Sequence, residues 1–127
     1  MQAIEPDVAN TVAYAMERVM TNGTGTASNP AGSTPVIGKT GTTDSYNQTW
    51  IVAGTTKVMS AVWVGNISGR SSLFGIPDGT ELRHRVMAPV IAAAVERYGG
   101  GAFPAPDQRM LAGTGNIAVP DLSLIHI

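Results

Sequence analysis

The chain has 127 residues, a length that fits one domain or part of one. Hydrophobic residues make up 43% and charged residues 13%, so a core can form, while the formal net charge of −1 gives no attraction for nucleic acid or an anionic membrane. The absence of cysteine excludes disulfides, zinc fingers and a thiol nucleophile.

The chain also lacks sequence features of export and membrane insertion. Residues 1–5 (MQAIE) have neither the basic nor the apolar region of a signal peptide. No stretch contains the ~18 apolar residues needed to span a bilayer. Any targeting or membrane segment is therefore expected outside this chain. Separately, we expect neither a cofactor nor a bound metal.

The first predicted element is an amphipathic helix that begins near Pro6 and is capped by Gly23. Its apolar residues recur at helical spacing: Val8, Val12, Ala15, Met16 and Val19. Residues 22–35 then form a loop by composition.

Three extended runs follow, at residues 36–43, 50–55 and 58–66. The connections between them are short enough for hairpins, which predicts an antiparallel meander. The third run is β-branched and aromatic and lies between Lys57 and Gly65, which predicts a buried strand.

A second helix is predicted from Pro89 to Tyr98, after a loop at residues 66–81 and a short lead-in at 82–87. Proline suits the first helical position, whereas in a helix interior it costs about 3 kcal/mol. The Gly- and Pro-rich residues 99–121 are interpreted as a linker. The elements together predict an α+β fold, in which a sheet of three strands is too small to be complete.

Residues 38–43 read GKTGTT, which suits either a phosphate loop or a substrate-binding strand. A P-loop needs a glycine five places before Gly38, where Ser33 stands, and a helix directly afterwards. Neither condition is met. The phosphate interpretation is therefore unfavourable.

In a strand, alternation places Thr40 and Thr42 on one face and Lys39 and Gly41 on the other. Two neighbouring hydroxyls can bind both oxygens of one carboxylate, and a glycine lets an extended peptide approach closely. An ordinary Thr- and Gly-rich hairpin strand fits the spacing equally well.

Lys39-Thr40-Gly41-Thr42 matches the K-T-G-T signature of penicillin-binding proteins and serine β-lactamases. Further matching segments stand in the family's order: GTGTA at 23–27, PVIGKTGTT at 35–43, Trp50, GT at 54–55 and AVWVG at 61–65. The chain resembles the C-terminal part of the transpeptidase domain of class A, bifunctional penicillin-binding proteins over residues 4–106. The partial domain itself spans residues 4–98, and the composition resembles that of actinobacterial members.

The resemblance implies a serine acyltransferase that cross-links D-Ala-D-Ala stem peptides of peptidoglycan and binds β-lactams. Such an enzyme acts at the extracytoplasmic face of the cell membrane, with a glycosyltransferase domain upstream. Lys39 would serve acid–base chemistry and attract the substrate carboxylate, which Thr40 and Thr42 would bind. Gly41 would give backbone clearance, Thr43 would complete the substrate strand, and the Thr42 N–H would donate in the oxyanion hole.

The family's S-x-x-K and S-x-N motifs, which carry the nucleophile and base, do not precede K-T-G here. Ser45-Tyr46-Asn47 spells S-x-N after it, in a predicted turn, and serines such as Ser28 have no Lys or His at triad-like spacing. The isolated chain is therefore expected to be inactive. The alternatives are a D,D-carboxypeptidase or β-lactamase relative, a non-catalytic cell-wall-binding module, and an inactive truncated fragment.

The remaining predictions concern the histidines and the C-terminal end. His84 lies between Arg83 and Arg85, which predicts a solvated surface position. Residues 117–122 resemble the beginning of a PASTA module. Residues 122–127 (LSLIHI), which include His126, resemble translated sequencing adapter and are interpreted as a non-native tail.

Overall fold

The structure, a computed structural model, describes residues 3–30, 32–68 and 71–112. In chain order it contains α1 (Pro6–Asn22), a 3₁₀ turn (Thr26–Ser28), β1 (Ile37–Thr42), β2 (Gln48–Gly54), β3 (Met59–Gly65), α2 (Leu82–Tyr98) and α3 (Gln108–Ala112). The segments at 117–122 and 122–127, predicted as a PASTA beginning and a non-native tail, lie outside the described residues.

The three strands form one antiparallel sheet in the order β1-β2-β3, which confirms the predicted meander and the α+β class. Thr40 lies opposite Ile51, which lies opposite Val62 on the third strand. One step further, Gly41 lies opposite Trp50, and Trp50 lies opposite Trp63. Because side chains alternate along each strand, these two rows lie on opposite faces of the sheet.

The core lies between one face of the sheet and the two long helices. Apolar side chains from both helices meet those of β2 there, and its buried members are Met20, Val36, Ile51, Ala53, Met87 and Ile91. The predicted helix α1 is confirmed, with Pro6 in its first turn and Gly23 as its C-cap. Gly23 has an extended backbone at φ −115° rather than a left-handed one.

The opposite sheet face is not covered by any described part of the chain. Trp50 and Trp63 contact each other across the strands on this face in a tilted arrangement, with ring centroids 6.5 Å apart, and 45% and 44% of their surfaces are exposed. The prediction that the third strand is buried is wrong, because no residue of β3 is fully buried. As an edge strand with only one covered face, β3 alternates between exposed and half-buried residues.

The predicted start of the second helix at Pro89 is also wrong, because α2 begins seven residues earlier, at Leu82. A turn initiates it, with the N–H groups of Glu81 and Leu82 both donating to Asp78 O at 2.9 Å. Pro89 removes the donor for the carbonyl of residue 85, whose side chain is exposed, so water can replace it. Hydrogen bonds of Arg83 and His84 with β1 and the 3₁₀ turn hold the first turns of α2 in place.

The segment interpreted as a linker, residues 99–121, contains the short helix α3. Residues 99–101, at the beginning of this segment, pack against the β2–β3 turn. Thr55 Oγ1 donates to Gly99 O at 2.9 Å, and the Gly101 N–H donates to Thr56 Oγ1 at 2.9 Å. Among the described residues, no helix is both long and apolar enough to cross a membrane.

Candidate functional site

The free edge of β1 is the part of the K-T-G-T segment that an external group can reach. The Thr43 N–H donates to Gln48 O at 3.1 Å across the hairpin. In an antiparallel ladder, residues two apart point their N–H and C=O groups to the same side, so residues 39 and 41 also face β2. The Thr42 N–H and the Thr40 C=O therefore point to the free edge, where the N–H can donate to a ligand.

The Lys39 ammonium reaches this same edge. Lys39 is exposed, and its Nζ donates to Thr40 O at 2.8 Å. Its side chain starts on the uncovered face of the sheet and turns around the strand. A positive charge thus lies on the edge that also carries the Thr42 N–H, which is an arrangement suited to developing negative charge.

Thr40 and Thr42 share one face of the sheet, as alternation predicts, and this is the covered face. Thr40 is 6% exposed, and its Oγ1 lies 2.6 Å from Oγ1 of the exposed Thr24, in the loop after α1. One hydroxyl must donate to the other, so the pair keeps one proton for a further acceptor. Thr24 belongs to the GTGTA segment of the sequence resemblance, yet sequence reasoning assigned it no role.

Gly41 is not required by packing among the described residues. A Cβ placed there would lie 3.7 Å from the Trp50 Cβ, an ordinary contact, and Gly41 does not have a positive φ. At Gly38, by contrast, a Cβ would lie 2.8 Å from Val52 O. The missing side chain at residue 41 leaves room over the uncovered face beside the free edge.

Thr43 serves the hairpin rather than the edge. Its Oγ1 accepts hydrogen bonds from the N–H groups of Asn47 at 3.1 Å and Gln48 at 3.2 Å, and the residue is exposed. The predicted turn at Ser45-Tyr46-Asn47 is present, with Tyr46 at φ 54°. The hydroxyl of Thr43 is thus already used in the turn.

The prediction of a solvated surface at His84 is wrong. His84 is 4% exposed, and Arg83 beside it is 8% exposed. Arg83 Nη1 donates to Thr42 Oγ1 at 2.8 Å and to Gly41 O at 3.1 Å. Sequence reasoning missed both residues because charged neighbours favour solvent, although positions 84, 87, 91 and 94 follow the helical spacing of the buried stripe.

Ser28 and His84 form a buried pair, with Ser28 Oγ 2.8 Å from His84 Nδ1. Arg83 Nε donates to His84 Nε2 at 3.1 Å, so Nε2 is an acceptor and the ring proton lies on Nδ1. The imidazole therefore donates to Ser28 and has no free lone pair to take the serine proton. The pair is structural, and Ser28, with no exposed surface, is not an activated nucleophile.

The environment of His84 makes the stability of the chain depend on pH. Burial lowers the pKa of His84 from its ordinary 6.5, the Arg83 charge lowers it further, and Glu81 partly opposes both. Below pH 6.5, His84 is protonated more readily in the unfolded chain than in the folded chain. The free energy of unfolding therefore falls as pH falls. The slope cannot exceed about 1.4 kcal/mol per pH unit, the limit for one proton.

Urea titrations between pH 5 and pH 7 would measure this slope in the wild type and in His84→Gln. We expect His84→Gln to flatten the profile, whereas His126→Gln removes the other histidine of the chain and serves as the control. Equal slopes for wild type and His84→Gln would contradict the assignment.

No cluster of three or more His, Cys, Asp or Glu side chains suited to a metal ion is present within residues 3–30, 32–68 and 71–112. Comparisons with protein-family models, with curated proteins and with solved structures give no match. The assignment of a function to this chain accordingly depends on its own residues and their geometry.

Proposed function

We propose that this chain is the C-terminal part of the transpeptidase domain of a class A penicillin-binding protein. The observation that carries the proposal is the free edge of β1, where the Thr42 N–H and the Lys39 ammonium lie on the side of the strand that faces away from β2. An extended stem peptide, or the amide of a β-lactam ring system, can pair with such an edge through its backbone.

The groups on the edge, and the two hydroxyls on the covered face beside it, each have a matching task in acyl transfer. A serine outside this chain attacks the carbonyl of the D-Ala-D-Ala bond, and D-alanine leaves as the acyl-enzyme forms. The Thr42 N–H donates to the oxyanion of the tetrahedral intermediate, together with the N–H of that serine. The hydroxyls of Thr40 and Thr42 hold the terminal carboxylate, and Lys39 assists proton transfer and attracts the same anion.

The proposal is tested by the reading frame upstream of Met1 and by acylation of its product. We expect that frame to contain S-x-x-K and then S-x-N, and the longer protein to form a covalent adduct with a fluorescent penicillin at the first serine. The 127-residue chain alone should form none, because it has no S-x-x-K and no S-x-N before K-T-G. A longer protein that carries both motifs yet is never acylated would overturn the transpeptidase assignment.

Gly41→Ala in the longer protein separates a substrate-binding strand from an ordinary hairpin strand. The methyl group has room within the described structure, so the free energy of unfolding should stay the same or rise by about 0.4–1 kcal/mol. Acylation should slow by about 5- to 150-fold, because one added methyl against an apposed backbone costs about 1–3 kcal/mol.

The control for that variant is Gly38→Ala, where the added Cβ would come within 2.8 Å of Val52 O and should destabilise the protein. Stopped-flow acylation with a reporter β-lactam and urea titration measure the two effects separately. A Gly41→Ala protein of normal stability and normal acylation rate would show that no substrate backbone passes over this residue.

A non-catalytic cell-wall-binding module is the second candidate. It is favoured by one observation, that the Ser28–His84 pair is locked in a tautomer that cannot activate serine. Retention of the 127-residue chain on purified peptidoglycan, together with an upstream frame that lacks S-x-x-K, would establish this second function.

A further inference from the structure

The guanidinium of Arg83 lies where the substrate carboxylate is proposed to bind, although it comes from helix α2, 41 residues after Thr42. It is 8% exposed and donates to the Thr42 hydroxyl and to Gly41 O, at the C-terminal end of β1. A residue distant in sequence thus contacts the K-T-G-T segment from the covered face of the sheet.

The positive charge of Arg83 has no anionic partner among the described residues. Its three acceptors in the described part of the chain are a hydroxyl, a backbone carbonyl and an imidazole, all of them neutral. The carboxylate of Glu81 interacts with Arg83 only by longer-range electrostatic attraction, since no ion pair joins the two side chains. A buried cation without a counterion is costly, so this end of β1 is prepared for an anion.

The hydrogen bond from Arg83 also decides which way the Thr42 hydroxyl donates. Because Thr42 Oγ1 accepts from Arg83, its own proton is available to donate to a second acceptor. The Thr24–Thr40 pair likewise keeps one donor proton. A group that only accepts hydrogen bonds and carries negative charge fits such donors, and an ionised carboxylate has both properties.

The guanidinium is held in place by a third hydrogen bond, which its Nε makes. Arg83 Nε donates to His84 Nε2 at 3.1 Å, and His84 in turn donates to Ser28 Oγ at 2.8 Å. Three anchors on a planar group restrict its orientation, so little entropy remains to be lost when an anion binds. Ser28 and His84 thereby act on the site through Arg83.

We infer that Arg83 is a positioning residue of a carboxylate-binding site. It places a positive charge on the covered side of β1 and orients the Thr42 hydroxyl as a hydrogen-bond donor. The anion class follows from the unpaired cation and the donor hydroxyls. The choice of a peptide C-terminal carboxylate rests on the proposed function.

The test compares two probes on the 127-residue chain: N-acetyl-D-alanyl-D-alanine and its C-terminal amide. Amide chemical shifts followed by NMR report binding at Thr42 and at the same time show whether the chain is folded. We expect the wild type to bind the carboxylate at least about tenfold more tightly than the amide, since one charge-assisted interaction is lost. Equal binding of the two probes by the wild type, or no binding, would overturn the inference.

Two substitutions assign the preference to Arg83. Arg83→Gln should bind both probes alike, whereas Arg83→Lys should keep part of the preference, because it retains the charge but not the planar donors. A folded Arg83→Gln chain that still prefers the carboxylate would overturn the inference. A purely structural role would weaken binding of both probes equally, and that result would also overturn it.

The outcomes separate this inference from the proposed function. A carboxylate preference that depends on Arg83, in a chain whose longer protein is never acylated, supports the anion site and overturns the transpeptidase. Acylation of the longer protein with a carboxylate preference that survives Arg83→Gln supports the transpeptidase and overturns the role of Arg83.

Discussion

Replacing Thr42 by valine in the longer protein is expected to slow acylation by a β-lactam by about 10- to 150-fold. The hydroxyl of Thr42 is proposed to bind the carboxylate of the substrate, and a hydrogen bond to a charged group contributes about 1.5–3 kcal/mol. Valine is β-branched like threonine and suits a strand, so the backbone N–H of residue 42 should stay in position. The second-order rate constant with a fluorescent penicillin measures the effect.

Thr49→Val is the matched control for this prediction. Thr49 lies directly opposite Thr42 on the neighbouring strand and is fully buried. Its Oγ1 has no hydrogen-bond partner in the described structure, so the same exchange removes an unsatisfied group there and should cost little stability. Acylation by Thr49→Val should match the wild type. An unchanged acylation rate in Thr42→Val would show that the Thr42 hydroxyl does not bind the substrate carboxylate.

Ile51→Ala is expected to lower the free energy of unfolding of the chain by about 2–5 kcal/mol. Ile51 is fully buried at the centre of the middle strand, and it packs in one cluster with Met20 of α1 and Met87 of α2. Truncation removes apolar contacts within this cluster and leaves a cavity that a strand paired on both edges cannot close. Urea titration followed by the fluorescence of the two tryptophans would measure the loss.

The control for Ile51→Ala is the same substitution at Ile67, which is 102% exposed just after β3. There the change should stay within about 0.5 kcal/mol, the usual range for a surface position. Equal effects at the two positions would mean that the sheet and helices do not form a common core. Such a result would support the alternative that the isolated chain is an inactive fragment without a stable fold.

Local patterns in the sequence were sufficient for most of the element order. The helical spacing from Val8 to Val19 and the three β-rich runs with short connections predicted α1 and the antiparallel meander, because each pattern acts within one element. The alternation of β1 likewise predicted that Thr40 and Thr42 share one face of the sheet. These statements need only the period of a helix or a strand, which neighbouring residues determine.

The errors arose where a distant contact outweighs a local preference. Pro89 favours a helix start, yet α2 begins at Leu82, since its first turns are held by contacts of Arg83 and His84 with β1 and the 3₁₀ turn. The third strand looked buried from its composition, but burial depends on what covers each face, and the described chain covers only one.

The sequence by itself determined the residues of the K-T-G-T strand, the alternation of their side chains and the absence of the two upstream motifs. Only the tertiary structure decided that β1 is a free edge, that Thr24 pairs with Thr40, and that Arg83 lies buried against Thr42. The physical reason is separation along the chain. Contacts across 16 and 41 residues depend on how helices pack against a sheet, and no local periodicity encodes that packing.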